Sequence, residues 1–530
     1  MEHTLRYAAP VVAVVLIFYL RLRRRSAIQD LAGPPSPSWI FGHMRQLLLS
    51  PRYGAHEFNW LNSYGPVYAL KGCFGQDRLM VADPVAMQYI LNSPNFRRSS
   101  TEDNARILVF GEKGFVVLRG SDHRRVRSAL NIGFTAAAVR SYHAVFKVVA
   151  EQICEQLESF PSTVTDVCSL LSAATFEATC QAILGRPTQD LGEEFVANNR
   201  EIMRLTASQS EVHVLADAII SRLPTWFWRA ATHLPTKSFA VARRGRELGN
   251  QVGSRIVREK REATAQGLET GSDLFSCLVD PNNSDTLTEE DLVPQMAVML
   301  IGGQETMTNT ISFGLLELAK HPDFQDRLRA EIHSALGNNT SPAYENMSLL
   351  NAFLREILRL YPALPLSARI VLEDTVIPLG ESIISSKGEH INQIPVRKGE
   401  IVNVAIAAYQ RLYSRWGKDP HTFNPSRWLD GETYQGEAVG PYANLLTFFG
   451  GPHICIGWRF CVSITIDLPG VAEAYLKSIF EMQVIICELV GKFSFAVSEN
   501  DPVNPRLMTG LQPIVATGKR ALPLHVTRVV

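Results

Sequence analysis

Apolar residues along this chain recur every three to four positions over 140–160, 166–184, 240–265, 290–320, 322–336 and 347–360. That spacing lines one face of a helix, so helices are predicted there. From Val67 to Val81 the apolar run is broken by Gly72 and Gly75, which predicts a short hairpin. A second strand-rich patch covers 368–405, with turn signals at Pro378-Leu379-Gly380 and Lys398-Gly399. No internal repeat or low-complexity stretch interrupts the pattern. The expectation is a mainly α fold with a smaller β portion, forming one large domain over 46–530.

The first residues follow a different rule. Ala8 to Leu20 is apolar and is followed at once by Arg21, Arg23, Arg24 and Arg25. The run is shorter than the about 20 residues that cross a bilayer comfortably. No small-residue cleavage site follows it, as a secretory signal would require. Arginines after an apolar run hold that end in the cytoplasm. Residues 1–25 therefore read as an uncleaved single-pass signal anchor. Residues 26–45, with Gly33-Pro34-Pro35-Ser36-Pro37, read as a stiff hinge behind it.

Composition narrows the chemistry. With 46% hydrophobic and 20% charged residues, the 530-residue chain belongs with folded proteins. Lys+Arg and Asp+Glu both number 52, so no global basic field recruits nucleic acid. The eight cysteines are scattered without a Cys-x-x-Cys pair. This argues against a disulfide framework and a structural zinc site, and fits a reducing compartment.

The densest chemistry lies in Phe448-Phe449-Gly450-Gly451-Pro452-His453-Ile454-Cys455-Ile456-Gly457. Glycines here let backbone wrap closely around one thiolate and aim it at a metal. Phe448 can cover the sulfur, and backbone N–H groups can hydrogen-bond it. A buried, inert free cysteine is the plainer reading of Cys455 taken alone. Upstream, Glu356 and Arg359 stand three apart on one face of an apolar helix that Pro362 ends. A buried pair of this kind needs a third partner, for which Arg427 in Asn424-Pro425-Ser426-Arg427-Trp428 is the candidate. Ile301-Gly302-Gly303-Gln304-Glu305-Thr306 sets two glycines and three polar residues in an apolar helix. Such a sequence makes either a local groove or a close helix contact.

These segments, in this order, resemble the signature elements of the cytochrome P-450 family, and the resemblance covers essentially all of the chain after the anchor. It implies heme b (iron protoporphyrin IX), with Cys455 as the axial iron ligand in a loop that includes Phe448 and Gly457. Glu356, Arg359 and Arg427 correspond to the family's ExxR helix and PxRW element, which brace that loop. Glu305 and Thr306 correspond to its acid–alcohol pair on the oxygen side, although Met307 replaces the usual second hydroxyl residue. His123 and Arg127 match its W-x-x-x-R helix, with histidine for tryptophan; with Arg369 and His453 they would meet the heme propionates.

The implied activity is insertion of one oxygen atom of O2 into a small hydrophobic substrate, with electrons from NADPH through a membrane-bound cytochrome reductase. The variants look most like fungal microsomal members, which implies the endoplasmic reticulum membrane, a cytosolic catalytic domain over 46–530, and secondary metabolism, including a terpenoid substrate. Residues setting the substrate would lie in the loop at 97–118, the stretch 205–235 and the turn Ala363–Ser367. Two rivals are a heme-thiolate isomerase or dehydratase and a non-catalytic membrane heme-binding protein. NADPH dependence separates the first and carbon monoxide difference spectra the second. One departure from the family is Cys461–Lys477, which holds Pro469-Gly470 where a continuous helix is expected. Removing it joins Gly457-Trp458-Arg459-Phe460 to Ser478-Ile479-Phe480-Glu481, so it reads as a translated intron.

Overall fold

The computed structural model describes residues 26–160, 164–223, 225–268, 271–281, 287–337, 344–430, 438–461 and 481–529. The proposed anchor over 1–25 and all of 461–477 but Cys461 lie outside them. The chain divides into two compact units and is mainly helical with a smaller strand portion.

The smaller unit spans 26–48, 54–99 and 366–409. Its strands are β1 (Val67–Lys71), β2 (Asp77–Val81), β3 (Phe96–Arg98), β4 (Ser367–Val371), β5 (Thr375–Ile384), β6 (His390–Val396) and β7 (Ile401–Val404). Five form one sheet in the order β1-β2-β7-β4-β3, and β5 pairs with β6. The hairpin predicted over 67–81 forms, with Val67 opposite Val81 and Lys71 opposite Asp77. Its turn is left-handed at Phe74 and Gly75. Lys398-Gly399 also turns the chain, with Gly399 at φ 90 between β6 and β7.

Pro378-Leu379-Gly380 does not turn the chain. It lies inside β5, where the register with β6 shifts between Pro378 and Ile383. The reason is a tertiary contact: the Gly380 N–H donates to both Asp83 oxygens, at 3.1 and 3.2 Å. A Cβ there would crowd Val85 and Asp83, so the glycine serves close approach. The Pro-rich stretch likewise packs against β1, where the Ala69 N–H donates to the Ala32 carbonyl at 2.9 Å. A Cβ on Gly33 would collide with the Ala69 carbonyl.

The larger unit spans 49–53, 100–365 and 410–530. Its helices used below are α1 (Gly120–Leu130), α2 (Val167–Leu184), α3 (Glu193–Thr206), α4 (Glu211–Ile220), α5 (Lys237–Ala265), α6 (Glu289–Lys320), α7 (Ser348–Leu360), α8 (Trp458–Cys461) and α9 (Glu481–Lys492). A hairpin of β8 (Val503–Leu507) and β9 (Leu511–Val515) follows. The six helical periods of the sequence match α2, α5, α6, α7 and the helices His143–Ser159 and Pro322–Leu336. The window 97–118 is not a plain loop, since it contains helix Ser100–Phe110, and the stretch 205–235 contains α4 and helix Thr225–Ala231. In 205–235 the apolar residues follow no clean period, because Val212, Ile219, Leu223, Trp226, Phe227 and Leu234 stay exposed.

α6 is the spine of this unit. Its N-cap Thr288 accepts from the Asp291 N–H, and Glu289, Glu290 and Asp291 complement the positive end of the helix dipole. From Met307 to Ala319 every residue is buried. Among the described residues, α2 alone is long and apolar enough to cross a membrane. It is mostly buried and packs along α6, as a core helix does.

Candidate active site

Glu356 and Arg359 sit one turn apart on α7, and neither is exposed at all. Arg359 grips the carboxylate with Nε and Nη2 at 2.9 and 2.8 Å. Arg427 adds its Nε at 3.1 Å to Oε1. Two donors that the sequence did not flag complete the set. The Trp428 indole N–H reaches Oε2 at 2.9 Å, and the Asn424 N–H reaches Oε1 at 2.9 Å. Burial opposes ionisation of Glu356, but the hydrogen bonds and charges of Arg359 and Arg427 outweigh it and hold the carboxyl below its usual range. The remaining Arg359 N–H groups meet the carbonyls of Gln410, Pro420 and Thr422.

Gln410 carries this framework onward. Fully buried, its Nε2 donates to the Leu358 and Arg359 carbonyls at 3.1 and 2.8 Å. Its Oε1 accepts from the Leu446 N–H at 2.9 Å and lies 3.0 Å from the Thr447 hydroxyl. One amide thus ties the end of α7 to the start of the cysteine loop. A lone glutamine carries no pattern by which sequence reasoning finds it.

The loop itself is held by backbone. The Phe449 N–H donates to the Leu446 carbonyl and the Cys455 N–H to the Phe448 carbonyl, both at 2.8 Å. Phe449 and Gly451 are left-handed, with φ 64 and φ 66. Phe448 is buried and packs edge-on against Tyr442. From α1, the Arg127 Nη1 donates to the Ile454 carbonyl at 2.8 Å. Also from α1, buried His123 stacks on Phe115 and lies 4.5 Å, ring to ring, from His453. The structure therefore brings His123, Arg127, His453, Phe448 and Cys455 together.

Cys455 is solvent-accessible, yet protein surrounds it deeply enough for burial to push its thiol up. The Gly457 N–H, hydrogen-bonded to the sulfur, and the Arg127 charge act in the opposite direction and favour thiolate. A Cβ on Gly457 would make only ordinary contacts, at 3.9 Å to Phe134 and 4.0 Å to the sulfur. Its tie to the thiol is thus the N–H. Among the described residues no group of three His, Cys, Asp or Glu side chains could hold a metal. A metal at Cys455 would then take its other ligands from a cofactor, and this donor set fits a porphyrin iron with one axial thiolate.

The glycine pair of α6 divides its tasks. A Cβ on Gly303 would lie 2.8 Å from Thr179 of α2, so this glycine is a close helix contact. One on Gly302 would meet nothing within 4 Å, and Gly302 is exposed in mid-helix. The Thr306 hydroxyl beside it donates to the Gly302 carbonyl at 2.7 Å. Gln304 turns inward, bonded to Asn199 and Ser172. Met307 is buried, so no second hydroxyl stands there. Glu305 turns away along the helix surface, where its Oε1 accepts from Thr206 and Gln512, at 3.0 and 2.6 Å. Arg369 lies on β4 of the smaller unit, where its Nη1 donates to Ser367 Oγ and the Ala368 carbonyl.

Comparison with known proteins matches residues 32–464 to the family model described as Cytochrome P-450. The chain is similar to cytochrome P-450 monooxygenase 91 of Postia placenta, at 29% identity over 96% of each chain. It is similar to ganoderic acid synthetase of Ganoderma lucidum, at 28% identity over 92% of each. A cytochrome P-450 monooxygenase of Ampulloclitocybe clavipes is 27% identical over 84% of this chain and 85% of its own.

Proposed function

The chain belongs to the cytochrome P-450 family, and on that premise we propose that it is a monooxygenase of fungal secondary metabolism whose heme b is held by Cys455. The observation that carries the reading is a solvent-accessible thiol on a backbone-held loop, with Arg127 bonded to the neighbouring Ile454 carbonyl. Heme b, when bound, supplies the activation of O2 that no side chain can, with electrons delivered by a redox partner. The protein residues do the rest.

In this reading Cys455 would hold the heme iron through its thiolate, and Phe448, buried beside it, would cover the sulfur. His123, Arg127 and His453 supply donors for the propionates. Glu356, Arg359 and Arg427 brace the loop. The opening at Gly302 leaves room for oxygen beside the Thr306 hydroxyl, which orients it by hydrogen bonding. Glu305 passes protons inward from the surface. The substrate is a hydrophobic molecule, with a terpenoid as the preferred class. Likeness to a protein named ganoderic acid synthetase supports a biosynthetic role.

The reading extends to the endoplasmic reticulum membrane, with residues 1–25 as anchor and an NADPH-dependent cytochrome reductase as the donor. Exposed Val212, Ile219, Leu223, Trp226, Phe227 and Leu234 fall within one short stretch, which supports contact with lipid. It also extends to Cys461–Lys477 as a translated intron. The family match ends at residue 464, inside that segment, and α8 and α9 flank it as helices. A transcript that keeps those codons in every copy would rule the intron out.

The central test is spectroscopic. Reduced wild-type protein should give the thiolate-type Soret band with carbon monoxide, and Cys455→Ser should lose it. Reductase-coupled wild type, incubated with extracts of its source, should form a product one oxygen heavier only when NADPH is present. A thiolate-type band in Cys455→Ser would overturn the assignment.

A further inference from the structure

Glu305 does not stand free. Its Oε1 accepts from the Gln512 amide at 2.6 Å and from the Thr206 hydroxyl at 3.0 Å. These donors come from two other elements, the last residue of α3 and strand β9. Gln512 is fully buried, and its Nε2 also lies 3.2 Å from Thr206 Oγ1. Thr206 is pinned in turn, since the Thr509 N–H and hydroxyl both donate to its carbonyl, at 3.4 and 3.2 Å.

The Thr206 hydroxyl has one hydrogen and two acceptors in reach, Glu305 Oε1 at 3.0 Å and the Met203 carbonyl at 2.8 Å. When Glu305 is ionised, that hydrogen points to the carboxylate. When Glu305 carries a proton, the hydroxyl turns to Met203 and accepts from the carboxyl instead. No heavy atom moves between these states. A proton can therefore enter from water at Thr206 Oγ1, whose own hydrogen passes to Glu305, and rotation of the hydroxyl resets the pair.

We propose that Thr206 and Gln512 are positioning residues of Glu305, clamping its carboxyl and serving both of its protonation states. Proton supply is thereby tied to the seating of the α3 C-terminus on the β8–β9 hairpin. The inference rests on the reading of Glu305 as a proton relay and adds the two residues through which it works.

The test uses full-length holoenzyme with its reductase and NADPH, without organic substrate. Oxygen then divides between hydrogen peroxide and water, and the water branch needs the extra protons. Thr206→Val and Gln512→Met should each raise the peroxide-to-water ratio by roughly fivefold, the effect of losing one hydrogen bond. Thr206→Ser should keep the wild-type ratio. Thr206→Val added to Glu305→Gln should change nothing beyond Glu305→Gln alone.

An equal change from Thr206→Val in the Glu305→Gln background would overturn the proposal, as would wild-type ratios in both Thr206→Val and Gln512→Met. If Glu305→Gln itself keeps the wild-type ratio, the relay reading falls and this inference with it. A second readout needs no turnover. Amide hydrogen exchange over 203–208 should be unchanged in Glu305→Gln, which keeps the Oε1 acceptor, and faster in Glu305→Ala and Thr206→Val. Wild-type exchange in Glu305→Ala would remove the clamp.

Discussion

Glu356 and Glu481 are both sealed from solvent, one on each side of Cys455 in the chain, and they differ in everything around them. Glu356 gathers donors from Arg359, Asn424, Arg427 and Trp428, and its carboxyl is held below the usual range. Glu481, in the first turn of α9, has no hydrogen-bond partner for either oxygen among the described residues, and burial pushes its carboxyl well up. Gln483 nearby also leaves its Oε1 unmatched. Burial alone does not decide the state of a carboxyl; the supply of donors does. Before the cysteine loop, both oxygens of the buried Glu356 carboxylate are met by donors. The helix after it begins on unpaired acceptors, next to the segment proposed as a translated intron.

The contrast can be broken from either side. Arg359→Met should have the largest effect, because it leaves the buried Glu356 charge without its main partner. The loss should be about 3–5 kcal/mol of holoprotein stability by chemical denaturation. A loss no larger than that of an exposed ion pair would mean the other donors suffice. Next, Gln410→Leu should cost about 2–3 kcal/mol, since it removes the partner of the Leu446 N–H and of the Arg359 carbonyl, while the Leu358 carbonyl keeps the Thr447 hydroxyl. It should also speed the transfer of heme to a scavenger protein. That acceleration separates loosening of the loop from simple loss of stability.

On the other side, Glu481→Met should stabilise the protein by about 2 kcal/mol at neutral pH, by removing an unpaired buried acceptor. The gain should depend on pH. A carboxyl raised in the fold is protonated in both states below its unfolded value of about 4.3, and it penalises the fold as pH rises above that. The advantage of Glu481→Met should therefore shrink in acid. Glu356 behaves oppositely. Its stabilisation is present above the unfolded value and is lost as pH falls through its lowered folded one. Smallest of all, Trp428→Phe should cost about 1 kcal/mol, since it removes one of several donors to Glu356.

Much of this was legible beforehand, and the reasons are local. Helical periods over α2, α5, α6 and α7 are properties of contiguous sequence, as is the three-residue spacing of Glu356 and Arg359. The loop around Cys455 also announces itself within ten residues. Pro378-Leu379-Gly380 misled for the same reason, since a turn-forming tripeptide became a bulge once Asp83 claimed the Gly380 N–H. Gln410, Thr206 and Gln512 carried no local signal at all, and Trp428 stood in a recognised motif with no sign that its N–H would reach Glu356. Each is an ordinary residue until a partner far away in the chain arrives.

The sequence by itself determined the family, the heme-thiolate chemistry and the order of the elements, because short motifs and periodic burial are encoded in neighbouring residues. Only the tertiary structure decided that Gly303 packs while Gly302 stays open, that Glu305 turns to Thr206 and Gln512, and that one buried glutamate has its carboxyl held below the usual range while the other is pushed above it. Those outcomes depend on which donors reach which acceptors. Hydrogen bonds between distant segments exist only after the chain has folded.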